Sequence, residues 1–109
     1  MPRASRASRA AASLRPDDWT LDMDELQRVV GSRTRLVAVG LVSNGTGTIN
    51  PIPQIANIAH AAGARLFVDG VAAVPHLATD VEALGADYFV CSPYKFYGPH
   101  LGVLWGRRE

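Results

Sequence analysis

The feature that most constrains the fold is an apolar, β-branched run at residues 35–42. Such a run predicts a strand that is covered on both faces, as strands are in a parallel sheet. Pro51 and Pro53 then open a helix that continues through residues 54–62, and residues 65–69 form a second apolar run. Strand, helix and strand within about 35 residues predict a βαβ unit.

The remaining patterns fit the same architecture. Residues 88–91 and 102–106 predict two more short strands. Residues 22–31 predict a short helix, which Asp22 caps and Gly31 ends in the left-handed conformation. The predicted fold class is therefore α/β, with a mostly parallel sheet built on βαβ connections.

Composition excludes several classes of protein. Hydrophobic residues make up 48% of the chain, which is ample for a core, but no apolar run approaches the roughly 20 residues of a membrane span. Residues 16–109 hold seven bases and ten acids, a net charge of −3, so the body has no basic field for nucleic acid. A single cysteine excludes an intrachain disulfide and fits a reducing compartment, which favours the cytoplasm.

The first 13 residues differ from the rest. Arg, Ser and Ala dominate them and acids are absent. This composition favours a disordered lead-in, and an organelle transit peptide is the alternative. The chain is thus divided into a lead-in at 1–13 and a folded part at 14–109.

Lys95 is the only lysine, against ten arginines. It follows the predicted strand at 88–91, which Pro93 ends because proline cannot donate to a β-ladder. Open α/β sheets bind ligands at the carboxyl ends of their strands. A partly desolvated lysine there can form an imine with an aldehyde. The alternative is a solvated surface lysine.

Polar residues follow all three parallel strands: Asn44, Asp69 and Ser92. If the strands are neighbours, these residues and Lys95 share one cleft, with Asp69 and Lys95 within about 10 Å. That set suits pyridoxal phosphate, because lysine can hold the aldehyde and a carboxylate can keep the ring nitrogen protonated. The apolar run before Asp69 favours its partial burial, and without cofactor the two charges can form an ion pair. Asp69 as a solvated turn former is the alternative.

Three segments carry a family resemblance: residues 43–49, 68–76 and 91–102. They resemble class V aminotransferases, and especially the cysteine desulfurase-like branch. The similarity runs from about Leu14 to the last residue. It implies the large domain of a fold-type I transferase, pyridoxal 5'-phosphate as cofactor, an amino acid as substrate, and a homodimeric parent protein.

The resemblance also implies roles for individual residues. Lys95 is the Schiff-base lysine and catalytic residue, and Asp69 pairs with the pyridinium nitrogen. Asn44 lies near the phenolic oxygen or the substrate carboxylate. Ser92 contacts the phosphate.

Two departures from the family pattern weaken an assignment of true desulfurase activity. Ala72 stands where these enzymes usually have glutamine, and Tyr94 stands where they usually have histidine. The Tyr94 hydroxyl can still reach a phosphate oxygen. His76 is assigned equally to packing and to cofactor contact.

Other functions have weaker support. The chain lacks a GxGxxG motif, and its three histidines lack metal-ligand spacing, so no metal site is predicted. The phosphate loop and small domain of the family do not occur in these 109 residues. The alternative function is therefore a non-catalytic truncated fragment or pseudoenzyme. Arg107 and Arg108 are interpreted as a solvated cap.

Overall fold

The computed structural model describes residues 7–108, so the first six residues of the predicted lead-in lie outside the described part. Its elements, in chain order, are α1 (Met23–Val29), β1 (Leu36–Gly40), α2 (Ile52–Ala61), β2 (Arg65–Asp69), β3 (Tyr88–Cys91), a one-turn 3₁₀ helix (Pro93–Phe96) and β4 (Val103–Gly106). Within residues 7–108 no helix has the length and apolar character needed to cross a bilayer.

The four strands form one sheet in the order β1-β2-β3-β4. The first three are parallel, and β4 is antiparallel to β3. Gly40 at the end of β1 lies beside Asp69 at the end of β2, and Asp69 lies beside Val90 of β3. The prediction of a mostly parallel α/β sheet is confirmed, and the strand ends meet at one edge.

The core lies between α2 and one face of the sheet. Pro51 caps α2, Pro53 occupies its first turn, and Gly63 follows it with a φ of 77°. Proline is favoured at the start of a helix and a left-handed glycine just after its end, so these residues set the limits of α2. The core side chains of less than 1% exposure include Ile52, Ile55, Ala59, Leu66 and Val68. Burying each large aliphatic side chain contributes about 1.5–3 kcal/mol.

The opposite face of the sheet is open. Successive side chains of a strand point to opposite faces, and Val37 of β1 is buried while Leu36 is 52% exposed. Leu104 of β4 is 63% exposed. The prediction that the first strand is covered on both faces is therefore wrong for this chain, because α2 covers only one of them.

The start of α1 follows its predicted pattern, but its end does not. Asp22 Oδ1 accepts a hydrogen bond from the Glu25 N–H at 2.8 Å, which confirms the predicted cap. The helix ends at Val30 in extended conformation, and Gly31 does not have a positive φ. The predicted left-handed stop at Gly31 is wrong, because Val30 ends the helix in extended conformation and Gly31 begins a turn, in which its carbonyl accepts the Thr34 N–H at 2.8 Å.

A buried carboxylate joins four elements at the amino end of the sheet. Asp87 is 7% exposed. Its Oδ2 accepts hydrogen bonds from Leu66 N–H and His60 Nε2, both at 2.8 Å. Arg107 Nε lies 3.7 Å from Asp87 Oδ1, and its Nη2 donates to the Ala86 carbonyl at 3.0 Å. Arg107 is thus exposed, as expected for a solvated cap, but it also contacts the buried Asp87, which the sequence did not predict.

The partners of Asp87 determine its ionisation. Burial raises the pKa of this carboxyl group, while the hydrogen bonds from Leu66 N–H and His60 and the charge of Arg107 lower it. The net effect is a pKa below the ordinary value of 3.8.

Candidate functional site

The carboxyl ends of the three parallel strands surround a cleft of about 340 Å³. Its lining residues are Gly40, Val42, Ser43, Asn44, Asn50, Asp69, Val71, Ala72 and Lys95. Three of the six residues predicted from the sequence, Asn44, Asp69 and Lys95, therefore share one cleft. They come from the carboxyl ends of three different strands or from the segments that follow them, which parallel pairing brings to one edge.

Asp69 is the last residue of β2, and its Oδ1 accepts a hydrogen bond from the Val71 N–H at 2.9 Å. The expected partial burial is wrong, because the side chain is exposed at the strand end. The following backbone is tightly held. Gly70 N–H donates to the Val90 carbonyl at 2.8 Å, and a Cβ on Gly70 would lie 1.9 Å from Phe89 Cζ. Any larger residue at position 70 would therefore force the Phe89 ring to move.

Lys95 lies in the 3₁₀ turn that directly follows β3. Pro93 begins this turn, and Lys95 N–H donates to the Ser92 carbonyl at 3.1 Å. Tyr97 ends it with a φ of 68°, a left-handed conformation that a residue with a Cβ adopts at a cost. Gly98 N–H then donates to the Pro93 carbonyl at 2.8 Å. The backbone at Lys95 is thus fixed by bonds on both sides.

The charged groups of the cleft do not pair with each other. Lys95 and Asp69 are both exposed, and within residues 7–108 they form no ion pair. The direct ion pair that the two charges can form without cofactor is therefore not present among the described residues. One Asp69 oxygen accepts the Val71 N–H instead, and both charged groups keep access to solvent. The cleft presents an ammonium group, a carboxylate and two amide side chains.

Asn44 lies in a short loop that returns to the strand it left. Val42 and Ile49 form an antiparallel bridge across the loop base. Ser43 N–H donates to the Thr48 carbonyl at 2.9 Å, which closes the loop inside that bridge. The loop of residues 43–49 therefore holds exposed Asn44 over the end of β1.

Sequence reasoning missed Asn50, which also lines the cleft. Its Nδ2 donates to the Gly40 carbonyl at 2.8 Å, and its N–H donates to the Leu41 carbonyl at 2.9 Å. The sequence carries one signal for it. An asparagine stands between the polar loop and Pro51, where a short side chain can bond a nearby carbonyl.

The other three predicted residues, Ser92, Tyr94 and His76, are not among those lining the cleft. Ser92 is half-buried before the 3₁₀ turn. The Tyr94 ring stacks on His100, with ring centres 5.0 Å apart and planes 9° from parallel. His76 is exposed. Their roles in cofactor binding stay predictions.

The sequence profile described as "Aminotransferase class-V" matches residues 10–109. This chain belongs to the class V aminotransferase family. Among curated class V relatives, a cysteine desulfurase of Dickeya dadantii is 51% identical over 94 residues. These cover 85% of this chain and 23% of that protein. A cysteine desulfurase-like protein of Aspergillus flavus is 47% identical over 95 residues, which cover 86% of this chain and 22% of the relative.

Solved structures give the same result. The cysteine desulfurase CsdA of Escherichia coli matches with a TM-score of 0.79 and 35% identity, over 86% of this chain and 24% of that one. The apo cysteine desulfurase of Thermococcus onnurineus matches with a TM-score of 0.76 and 33% identity, over 84% of this chain and 23% of that one. The chain therefore spans about a quarter of the length of the relatives it matches.

Proposed function

We propose that this chain provides the cofactor-anchoring part of a pyridoxal-phosphate enzyme of the cysteine desulfurase-like branch, acting on an amino acid. One observation carries the proposal. The cleft collects an amine, a carboxylate and an amide at the carboxyl ends of three successive strands. Membership of the class V family supports the same chemistry.

The chemistry of the lining residues fits this cofactor. The cleft of about 340 Å³ is large enough for a small ligand. Lys95 supplies the one side-chain amine of the chain, and Asp69 supplies a carboxylate with no ion-pair partner within residues 7–108. Val71 and Ala72 form an apolar part of the cleft wall beside that carboxylate. The groups that the cofactor needs are thus free to meet a ligand.

Each residue then has a defined role. Lys95 Nζ would hold the cofactor at its aldehyde carbon, with loss of water. Once the substrate amine has displaced it, the freed Lys95 amine would carry a proton to or from the substrate Cα. The Asp69 carboxylate keeps the ring nitrogen protonated. The Asn44 amide binds the phenolic oxygen or the substrate carboxylate. When bound, pyridoxal phosphate supplies an electron sink for bonds at the amino acid's α-carbon.

The 3₁₀ turn and its surroundings supply the proposed phosphate contacts. Ser92 directly precedes the turn that carries Lys95 and Tyr94 lies within it, so they are three residues and one residue from Lys95 in the chain. His76 follows the segment after Asp69 and is assigned equally to packing and to cofactor contact. Alanine scanning of these three residues against cofactor affinity would separate the contacts from the packing residues.

Trapping the cofactor on the chain tests the proposal directly. Pyridoxal phosphate is added, the linkage is reduced with borohydride, and the labelled peptides are identified by mass spectrometry. Because Lys95 is the only lysine, the amino terminus is the one other amine and serves as an internal standard. We expect label on Lys95 in excess of the amino terminus, and less of it in Asp69→Asn. In Lys95→Arg the excess should disappear. Equal labelling of the two amines would contradict the proposal.

A non-catalytic role is the second candidate. The exposure of the cleft residues favours this role, since Asn44, Asp69 and Lys95 are all open to solvent. The sheet face that carries Leu36 and Leu104 is also uncovered. Excluding water strengthens the electrostatic interactions inside a catalytic site. Sulfide release from cysteine by a chain that has been shown to bind the cofactor would exclude this role. Cofactor binding without turnover of any amino acid would support it.

We further propose a cytoplasmic protein that acts as a homodimer in its full form. The family resemblance supports the dimer, and the single cysteine supports a reducing compartment. Sedimentation at increasing concentration would check the dimer.

A further inference from the structure

Two polar side chains of the cleft have no place among the proposed cofactor contacts: Ser43 and Asn50. The Ser43 hydroxyl accepts the Gly45 and Thr46 N–H groups, so it serves its own loop. Asn50 bonds outside the loop instead, to the carbonyl of Gly40 at the end of β1. This bond joins the far end of the loop to the strand from which the loop departs.

We propose that Asn50 is a positioning residue, which fastens the loop of residues 43–49 to the end of β1 and thereby sets the place of Asn44 in the cleft. The first part concerns this chain alone. The second part rests on the proposed function, because it takes Asn44 to be a cofactor contact.

The orientation of the Asn50 amide follows from its partner. The Gly40 carbonyl can only accept, so the Nδ2 group must be the one that faces it, at 2.8 Å. The Asn50 N–H donates to the next carbonyl, that of Leu41, at 2.9 Å. Two consecutive carbonyls at the end of β1 are therefore bound by one residue. Aspartate has the same shape but no side-chain donor, so it would place an oxygen against the Gly40 oxygen.

The loop has few other attachments to the strand end. Inside it, the Ser43–Thr48 and Gly47–Ser43 bonds are local. Below them, the Val42–Ile49 bridge leads directly to Asn50. The two Asn50 bonds are thus the next link between the returning chain and β1. If the Asn50 side chain is removed, the Gly40 carbonyl loses the hydrogen bond from Nδ2. The base of the loop can then separate from the end of β1.

Hydrogen exchange in the cofactor-free chain tests the first part. Amide exchange is measured for Ser43 and Gly47 in the unchanged chain, Asn50→Ala, Asn50→Asp and the control Asn57→Asp. Asn57 is an exposed asparagine of α2 outside the cleft. We expect both Asn50 variants to speed exchange of the loop amides by about fivefold or more, with Asn50→Asp at least as strong. The amide of Gly63, which follows α2, and the control variant should stay unchanged. Unchanged loop protection, or equal acceleration throughout the chain, would overturn the proposal.

A double-mutant cycle tests the second part. The readout is the pH midpoint of the absorption band of the Lys95–cofactor linkage, which responds to contacts at the phenolic oxygen and not to stability alone. We expect Asn50→Ala to move the midpoint in the same direction as Asn44→Ala, and to have no further effect in the Asn44→Ala background. Additive shifts, or no shift from Asn50→Ala, would overturn the positioning of Asn44.

The two tests separate the possible failures. If no linkage band forms in the unchanged chain, the proposed function fails, and hydrogen exchange still decides whether Asn50 fastens the loop. If the band forms and exchange is unaffected by Asn50→Ala, the proposed function stands and the role of Asn50 fails.

Discussion

Two aspartates beside the same sheet show how differently its two ends are built. Asp87 precedes β3 at the amino end, is 7% exposed, and is bound by Leu66 N–H, His60 and Arg107. Asp69 closes β2 at the carboxyl end and is exposed, and within residues 7–108 its carboxylate bonds only the nearby Val71 N–H. One end uses its carboxylate to hold the fold, and the other leaves its carboxylate free for a ligand.

The physical reason is the cost of burying charge. A buried carboxylate is stable only when hydrogen bonds and opposite charges replace its lost hydration. Asp87 has such partners from α2, β2 and the segment after β4. Asp69 keeps its hydration and so imposes no comparable demand on the fold. Its charge becomes useful when a cation, such as a protonated ring nitrogen, enters the cleft.

Removing the two carboxylates should give the largest contrast. We expect Asp87→Ala to lower the free energy of unfolding by about 3 kcal/mol, because it leaves the Leu66 N–H buried without its partner and releases Arg107 and His60. Asp69→Ala should cost less than about 1 kcal/mol, since it loses one exposed turn bond. Urea unfolding of both variants measures the difference. Equal losses would show that the two ends of the sheet do not differ in this way.

We expect the backbone beside Asp69 to tolerate substitution less well than the Asp69 side chain. We expect Gly70→Ala to cost about 2 kcal/mol, because overpacking forces neighbouring atoms to shift and the new Cβ would lie 1.9 Å from Phe89 Cζ. The matched control is Gly31→Ala, where no atom lies within 4 Å of the added Cβ. Thermal unfolding compares the two. If Gly70→Ala were as mild as Gly31→Ala, the carboxyl end would be more adaptable than its geometry indicates.

The smallest expected effect is on acid stability. The pKa of Asp87 is depressed below 3.8 in the folded chain. The contribution of its ionised carboxylate to the free energy of unfolding is therefore fully present above pH 3.8. It is lost as the pH falls through the lower folded pKa. Asp87→Asn removes this titration. The unfolding free energy of the variant should therefore change less with pH, in that acid range, than the unfolding free energy of the unchanged chain. The comparison is made by urea unfolding at a series of acid pH values.

A second aspartate provides the control for that measurement. Hydrogen bonds from the Thr20 hydroxyl and from the Thr20 N–H lower the pKa of Asp18. Unlike Asp87, this carboxylate is fully exposed. Solvent screens exposed charges, so Asp18→Asn should leave the acid limb almost unchanged. An equal flattening in both variants would mean that burial does not set the pH dependence.

Much of the cleft could be predicted from the sequence because it depends on strand ends. Apolar runs before Asn44 and Asp69 indicate where the strands stop, and parallel pairing brings those stops to one edge. Asn50 could not be found this way, since its importance comes from a bond to Gly40 across ten residues of chain. The exposure of Asp69 was equally hidden, because it depends on what covers the strand end.

The sequence by itself determined the order of strands and helices, the limits of α2 between Pro51 and Gly63, and the family resemblance carried by the residues around Asp69 and Lys95. These are local properties: the period of apolar residues and the backbone preferences of proline and glycine. Only the tertiary structure decided that Arg107 binds Asp87, that one sheet face is bare, and that Lys95 and Asp69 stay apart. Such pairings join residues distant in the chain, and their energies depend on burial that no local pattern specifies.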